Sequence, residues 1–200
     1  GDWIQARNHL EGALSIYRHI GYRRFQAQTL NTLANLSMDT GEFEIAESYY
    51  LEAISLHRRS GSEGTAAIVR GNLGELYLRQ SAYGPAIEAL TFAVDICDRT
   101  YPSAGAQFKG PLGLALAMIE QFEPAYRFCE NGRRFLEKAG QKMALGKHVC
   151  FEGLVYARGH DKNTATRLCA QAKQLFDEVQ PGTKSQFGQL LAQLTGVLNQ

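Results

Sequence analysis

The chain has 200 residues, with 21 Lys+Arg against 20 Asp+Glu and a net charge of +1. That balance excludes an overall basic footprint for nucleic acid and a polybasic membrane patch. A hydrophobic fraction of 44%, with ten Phe, nine Tyr and one Trp, excludes a disordered chain, because that much apolar surface offsets the entropy of ordering. No apolar run approaches the ~18–20 residues that span a bilayer, and no signal peptide opens the chain. Cys97, Cys129, Cys150 and Cys169 form no C-x-x-C pair and no metal-type spacing with the histidines. They read as reduced thiols of a cytoplasmic protein without a metal site.

The elements, in chain order, repeat one unit. Ala6, Ala46, Ala86, Ala125 and Ala165 recur at intervals of 40, 40, 39 and 40. The first element is a helix over 2–20, where Trp3, Ala6, Leu10, Ala13 and Ile16 follow helical spacing. The same positions return as Phe43, Ala46, Tyr50, Ala53 and Leu56, then as Tyr83, Ala86, Leu90, Ala93 and Ile96. A second helix precedes each later anchor, marked twelve residues upstream by Ala34, Gly74, Gly113 and Gly153. Small residues on facing helices let the two backbones approach closely. The pattern predicts helical hairpins over 22–60, 62–99, 102–139 and 141–180. A last helix over 184–198 carries Phe187, Leu190, Leu191, Leu194 and Leu198. The fold class is all-α, about ten helices in a single repeat domain over 1–200, since each hairpin is too small to bury its own apolar face. Both ends read as cut through a repeat, which points to a piece of a longer protein with open stacking ends.

Residues 102–113 fit least well. Pro102, Gly105, Gly110, Pro111 and Gly113 predict a kink or break just before Pro111, since an interior proline removes one backbone hydrogen bond. Such a break is a candidate hinge.

The runs Thr32 to Ile54, "TLANLSMDTGEFEIAESYYLEAI", and Asn72 to Leu90, "NLGELYLRQSAYGPAIEAL", resemble the tetratricopeptide repeat family. The resemblance covers essentially the whole chain. The ~40-residue period exceeds the family's usual 34 and is similar to the subclass seen in kinesin light chain, in spindle-orientation scaffolds and in the sensor arms of bacterial signalling ATPases. It implies a right-handed superhelical solenoid of antiparallel helix pairs, a concave groove lined by the first helix of each pair, and a protein or peptide partner.

No G-x-x-x-x-G-K-[ST], G-x-S-x-G or H-E-x-x-H motif occurs, so neither a catalytic residue nor a cofactor is predicted. His148 and Cys150 lie two apart on a helix and point to different sides. Arg23-Arg24, Arg58-Arg59 and Arg133-Arg134 sit at different offsets in their repeats and read as solvated faces. The groove candidates are Gln28, Asn31, Asn35 and Met38 in the second copy, and Glu75, Leu78 and Arg79 in the third. Gln107, Leu114 and Met118 follow in the fourth, and Lys147 and Arg158 in the fifth. Their amides suit an extended peptide backbone, and the Leu and Met positions an apolar anchor. The family's carboxylate clamp is rejected, because Asn31 and Gln107 stand where its basic residues belong.

The sequence thus reads as a non-enzymatic scaffold within a larger regulatory or signalling protein. Its partner is a protein or peptide, not nucleic acid or membrane, and its open ends admit self-association. The alternative is a ligand-sensing or autoinhibitory arm of a signalling ATPase, kinase, cyclase or transcription regulator.

Overall fold

The computed structural model describes residues 3–200 and is helical throughout, without a strand among the described residues. The ten helices are α1 (Trp3–His19), α2 (Arg23–Asp39), α3 (Phe43–Arg59), α4 (Glu63–Arg79), α5 (Tyr83–Thr100), α6 (Pro102–Met118), α7 (Phe122–Lys138), α8 (Lys142–Arg158), α9 (Lys162–Val179) and α10 (Gln186–Leu198). The expected first helix began at residue 2; Gly1 and Asp2 lie outside the described residues. The chain divides into two units, 1–96 and 97–200, each a stack of antiparallel helix pairs.

The turns explain the repeat length. Glu42 N–H donates to the Ser37 carbonyl at 2.8 Å, and the same six-to-one bond recurs at Ser62 to His57, Ala82 to Tyr77, Gln121 to Leu116, Gln141 to Leu136 and Asp161 to Tyr156. This bond closes the helix end with one residue in the left-handed region. Gly41 fills that place at φ 82°, whereas Ser81 at 60° adopts it without glycine's freedom. Between α5 and α6 the link is different: Tyr101 alone joins them, with its N–H on the Cys97 carbonyl at 2.8 Å. That shorter link produces the single interval of 39.

Inside each hairpin the small residues set the helix separation. A Cβ on Gly74 would lie 2.7 Å from the Leu90 side chain, and one on Gly113 would lie 2.5 Å from Cys129 Sγ and 3.0 Å from the Ala125 carbonyl oxygen. The anchor alanines Ala46, Ala86, Ala125 and Ala165 are fully buried. In the first unit the core gathers Leu14, Leu30, Leu33, Tyr50, Leu73 and Leu76; in the second it gathers Leu136, Val149, Leu168, Leu175 and Phe187. The ring of Phe187 on α10 fills the space beside Gly146, and Leu194 fills that beside Gly153.

One expectation is corrected. Helix α6 runs without interruption from Pro102 to Met118, with Pro111 inside it. Gly110 to Ala117 are all buried, and this packing outweighs the one hydrogen bond that Pro111 cannot make. No break precedes Pro111.

Two glycines separate packing from propensity. At Gly132 an added Cβ would lie 2.7 Å from the Ala106 carbonyl oxygen and 2.3 Å from His148 Cε1, whereas at helical Gly12 it would meet nothing within 4 Å. Gly132→Ala is expected to cost roughly 1–3 kcal/mol by overpacking, and Gly12→Ala to add up to about 1 kcal/mol. Thermal melts check both, and equal shifts for the two variants contradict the packing account.

Candidate functional site

In the first unit the predicted inner wall is polar and accessible. Its residues come from α2 and α4, the first helices of successive pairs. Gln28 is exposed, Asn31 and Asn35 are half-buried, and Glu75 and Leu78 are half-buried beside exposed Arg79. The wall is held by polar bridges. Asn72 Nδ2 donates to Asn31 Oδ1 at 3.1 Å, tying α4 to α2, and the Tyr50 hydroxyl donates to Asn35 Oδ1 at 2.6 Å. Arg79 reaches Asp39 at 3.4 Å. Burial and the charges of Glu75 and Asp39 hold the Tyr50 hydroxyl far above the usual phenol range, so it stays a donor and orients the Asn35 amide. With its oxygen taken by Tyr50, that amide keeps its NH2 as a donor, the group an extended peptide's carbonyls require.

Not every candidate reaches the surface. Met38 is buried in the core of the first unit, with its sulfur 3.9 Å from the Tyr50 hydroxyl. Leu114 is buried in the second unit. Burial removes both from the wall, Met38 against Tyr50 of its own hairpin. In the second unit the packing is close: a Cβ on Gly110 would lie 3.0 Å from His148 and 3.2 Å from Phe151, one helix pair further on. Gln107 and Met118 are half-buried there, Lys147 donates to Gln186 Oε1 at 3.2 Å, and Arg158 is exposed. These four remain at the surface, separated by the buried Leu114, Cys150 and Leu154. The groove set lacked Asn72, half-buried on the wall, and Tyr50, which supports Asn35 from the core. Tyr50 sits at a core position, and the Asn72 bridge crosses between repeats, where spacing within one helix carries no signal.

The second unit also buries titratable groups. His148 Nε2 lies 2.8 Å from the Cys129 carbonyl, which fixes its proton there, and Nδ1 is buried without a partner. Burial pushes its pKa down to about 4, so the ring is neutral. Glu152 is buried too, with a carboxyl raised by desolvation against the pull of Arg133, whose Nε donates to it at 2.9 Å. Elsewhere the matching positions hold Leu14 with Leu33 and Ile54 with Leu73, so one ion pair replaces an apolar contact. The thiols are poor nucleophiles: burial raises Cys129 well above its usual value, Cys150 to about 12 and Cys97 to about 11. Among the described residues no group of three or more His, Cys, Asp or Glu is placed to hold a metal ion, and no helix is long and apolar enough to cross a membrane.

The arginine pairs part company in the structure. Arg133 pairs with Glu152 and Glu137, and Arg134 with Glu130. Arg23-Arg24 and Arg58-Arg59 come instead to one edge of the first unit, since one pair opens α2 and the other closes the antiparallel α3. Their different offsets in the repeat concealed this.

Since the folded-state pKa of His148 lies below its unfolded value, its neutral form favours the fold above pH ~6.5. That contribution is lost as pH falls toward 4, by about 3 kcal/mol in all. Glu152, raised on folding, acts with the opposite sign. The wild type is therefore expected to lose more stability than His148→Gln between pH 6.5 and 4, read by denaturant melts at each pH. Parallel pH profiles contradict the buried neutral ring. Replacing Arg133 and Glu152 together by Leu is expected to be neutral or stabilising by roughly 1–4 kcal/mol, whereas Arg133→Leu alone costs about 3–5 kcal/mol by stranding a buried carboxylate. A double variant less stable than the single one contradicts this.

Comparison with known proteins agrees with this architecture. The tetratricopeptide repeat family model matches residues 25–99. The chain is 24% identical over 179 residues to response regulator aspartate phosphatase I of Bacillus subtilis (strain 168), covering 86% of this chain and 45% of that protein. It is 34% identical over 93 residues to regulatory protein RapK of the same organism, covering 46% of this chain and 25% of that one. The chain thus spans less than half the length of either curated relative. The crystal structure of the apo form of RapI superimposes with a TM-score of 0.74 at 18% identity, over 98% of this chain and 78% of that one. Residues 25–99 match the tetratricopeptide repeat family model, and hairpins of the same kind continue through the described residues.

Proposed function

We propose that the chain is a protein- or peptide-binding scaffold of a regulatory protein, and that an extended peptide segment binds along α2 and α4 of the first unit. The observation that carries this reading is the amide wall, with Asn35 fixed by Tyr50, Asn31 bridged to Asn72, and Gln28 and Leu78 accessible beside them. Oriented amides bind a peptide backbone at low ordering cost, because their own rotamers are already held. Both curated relatives carry regulatory names, which supports a regulatory setting. Action by binding rather than chemistry is supported by the buried, protonated thiols and the neutral His148. Reduced cysteines support a cytoplasmic setting.

A second reading, a sensing or autoinhibitory arm, differs only in where the bound segment originates. It is supported by the length of the relatives, which extend well beyond the region shared with this chain.

Selection from a displayed library of random peptides tests the wall. Peptides enriched on the wild type are expected to bind Gln28→Glu/Asn31→Asp/Leu78→Asp at least about tenfold more weakly, a loss of ~1.4 kcal/mol or more, with unchanged helicity. Peptides that bind the triple variant equally well place the site elsewhere, and a library without enrichment overturns the proposal.

A further inference from the structure

The first unit has a second surface, at the edge where α1 ends, α2 begins and α3 ends. Arg18 on α1 holds Glu52 on α3 at 2.8 Å, which sets those two helices side by side. The Tyr17 ring of α1 stacks on Phe25 of α2 at 5.3 Å, and Phe25 stacks on Tyr22 at 5.9 Å. Tyr22 and Phe25 are nevertheless 57% and 44% exposed. Arg24 acts electrostatically on His57 of α3, which brings the start of α2 to the end of α3.

Four exposed arginines therefore share this edge: Arg23, Arg24, Arg58 and Arg59. Among the described residues none of them enters an ion pair, whereas Arg7, Arg18, Arg70 and Arg79 of the same unit all do. Arg58 and Arg59 suit the negative end of the α3 dipole. Arg23 and Arg24 do not suit theirs: they stand in the first turn of α2, which holds no acidic residue, where the helix end is already positive. Helix stability gives no reason for that pair, and an anion bound across the edge does.

We propose that this edge binds a short acidic peptide segment carrying an aromatic or aliphatic side chain. The arginines take the carboxylates and the exposed Tyr22–Phe25 rings take the apolar group. The charge of the whole unit selects a peptide over a nucleic acid. Residues 1–96 hold eight arginines and no lysine against eleven acidic residues, so a long polyanion meets a net negative body beyond the patch. A short peptide stays within roughly one Debye length, about 8 Å at physiological salt, of the four cations. This surface is separate from the amide wall.

The test is fluorescence anisotropy with a labelled peptide of about five residues, acidic except for a central Phe pair, at physiological salt. Saturable binding to the wild type is expected. Arg23→Glu/Arg24→Glu and Arg58→Gln/Arg59→Gln are each expected to weaken it about tenfold or more, and Tyr22→Ser by severalfold. Arg127→Glu/Arg167→Glu, in α7 and α9, is expected to change it less than about twofold, as is the triple change in the amide wall. Circular dichroism confirms the fold of each variant. Absence of saturable binding, insensitivity to either arginine pair, or equal loss in the Arg127/Arg167 control overturns the proposal. Binding of a single-stranded oligothymidylate as tight as that of the peptide overturns it in favour of a nucleic acid.

Discussion

Close contact between helices at small residues is the constraint on which everything else in this protein depends. Gly74 leaves room for Leu90, Gly113 for Ala125 and Cys129, and Gly146 for Phe187. Each pair must fit before the apolar stripes on either side can meet, because an added Cβ at these places would sit inside a neighbour's van der Waals radius. The small residues therefore act as spacers of fixed size, and the larger ones, Tyr50 and Leu90 among them, fill what the spacing leaves. A hairpin so spaced repeats without redesign, which is why the same register carries through copies whose other positions diverge.

The second unit shows how far that register tolerates polar groups. His148 occupies a position filled elsewhere by Thr29, Val69 and Phe108, all buried. Across from it stands Gly132, where the four other copies have Ala13, Ala53, Ala93 and Ala172. The two changes belong together, since the imidazole fills the volume that the missing Cβ vacates. One turn further along the same two helices, Arg133 and Glu152 replace an apolar pair by an ion pair of similar reach. A buried ion pair contributes little net stability against a well-packed apolar pair. It nonetheless ties α7 to α8 at 2.9 Å where the repeat signature itself is weakest.

What the sequence made legible follows from the range of the signal. Helix positions and the hairpin register were legible because the spacing of Ala6, Ala46 and their equivalents is set within one pair of helices. Of the groove candidates, Gln28 and Arg79 are exposed and Asn31 and Asn35 half-buried, whereas Met38 and Leu114 are buried. The depth of that wall depends on how closely successive first helices pack, which spacing along one helix does not encode. Pro111 misled for the opposite reason. Its local penalty is real, yet eight consecutive buried residues from Gly110 to Ala117 outweigh a single missing hydrogen bond.

Antiparallel hairpins also gather residues that the sequence keeps far apart. The end of one second helix and the start of a first helix meet at the same edge, so Arg23 and Arg58, 35 positions apart, become neighbours in the first unit. The opposite edge collects Asp39, Glu42 and Glu44 by the same rule. There Arg7 and Arg79 reach Glu42 and Asp39, so that edge neutralises part of its own charge. At the basic edge Arg18 alone among the described arginines finds a carboxylate, that of Glu52. A repeat fold aligns all its helix dipoles in two opposed sets, and acidic residues at α3's start with basic ones at its end follow that alignment. Charges that obey it belong to folding. Arg23 and Arg24 oppose it, as do Lys142 opening α8 and Lys162 opening α9. Lys142, however, pairs with Glu178, and Lys162 follows the Asp161 cap. Among the described residues neither arginine has an ion-pair partner, and a departure of that kind is where selection for something other than the fold is most directly visible.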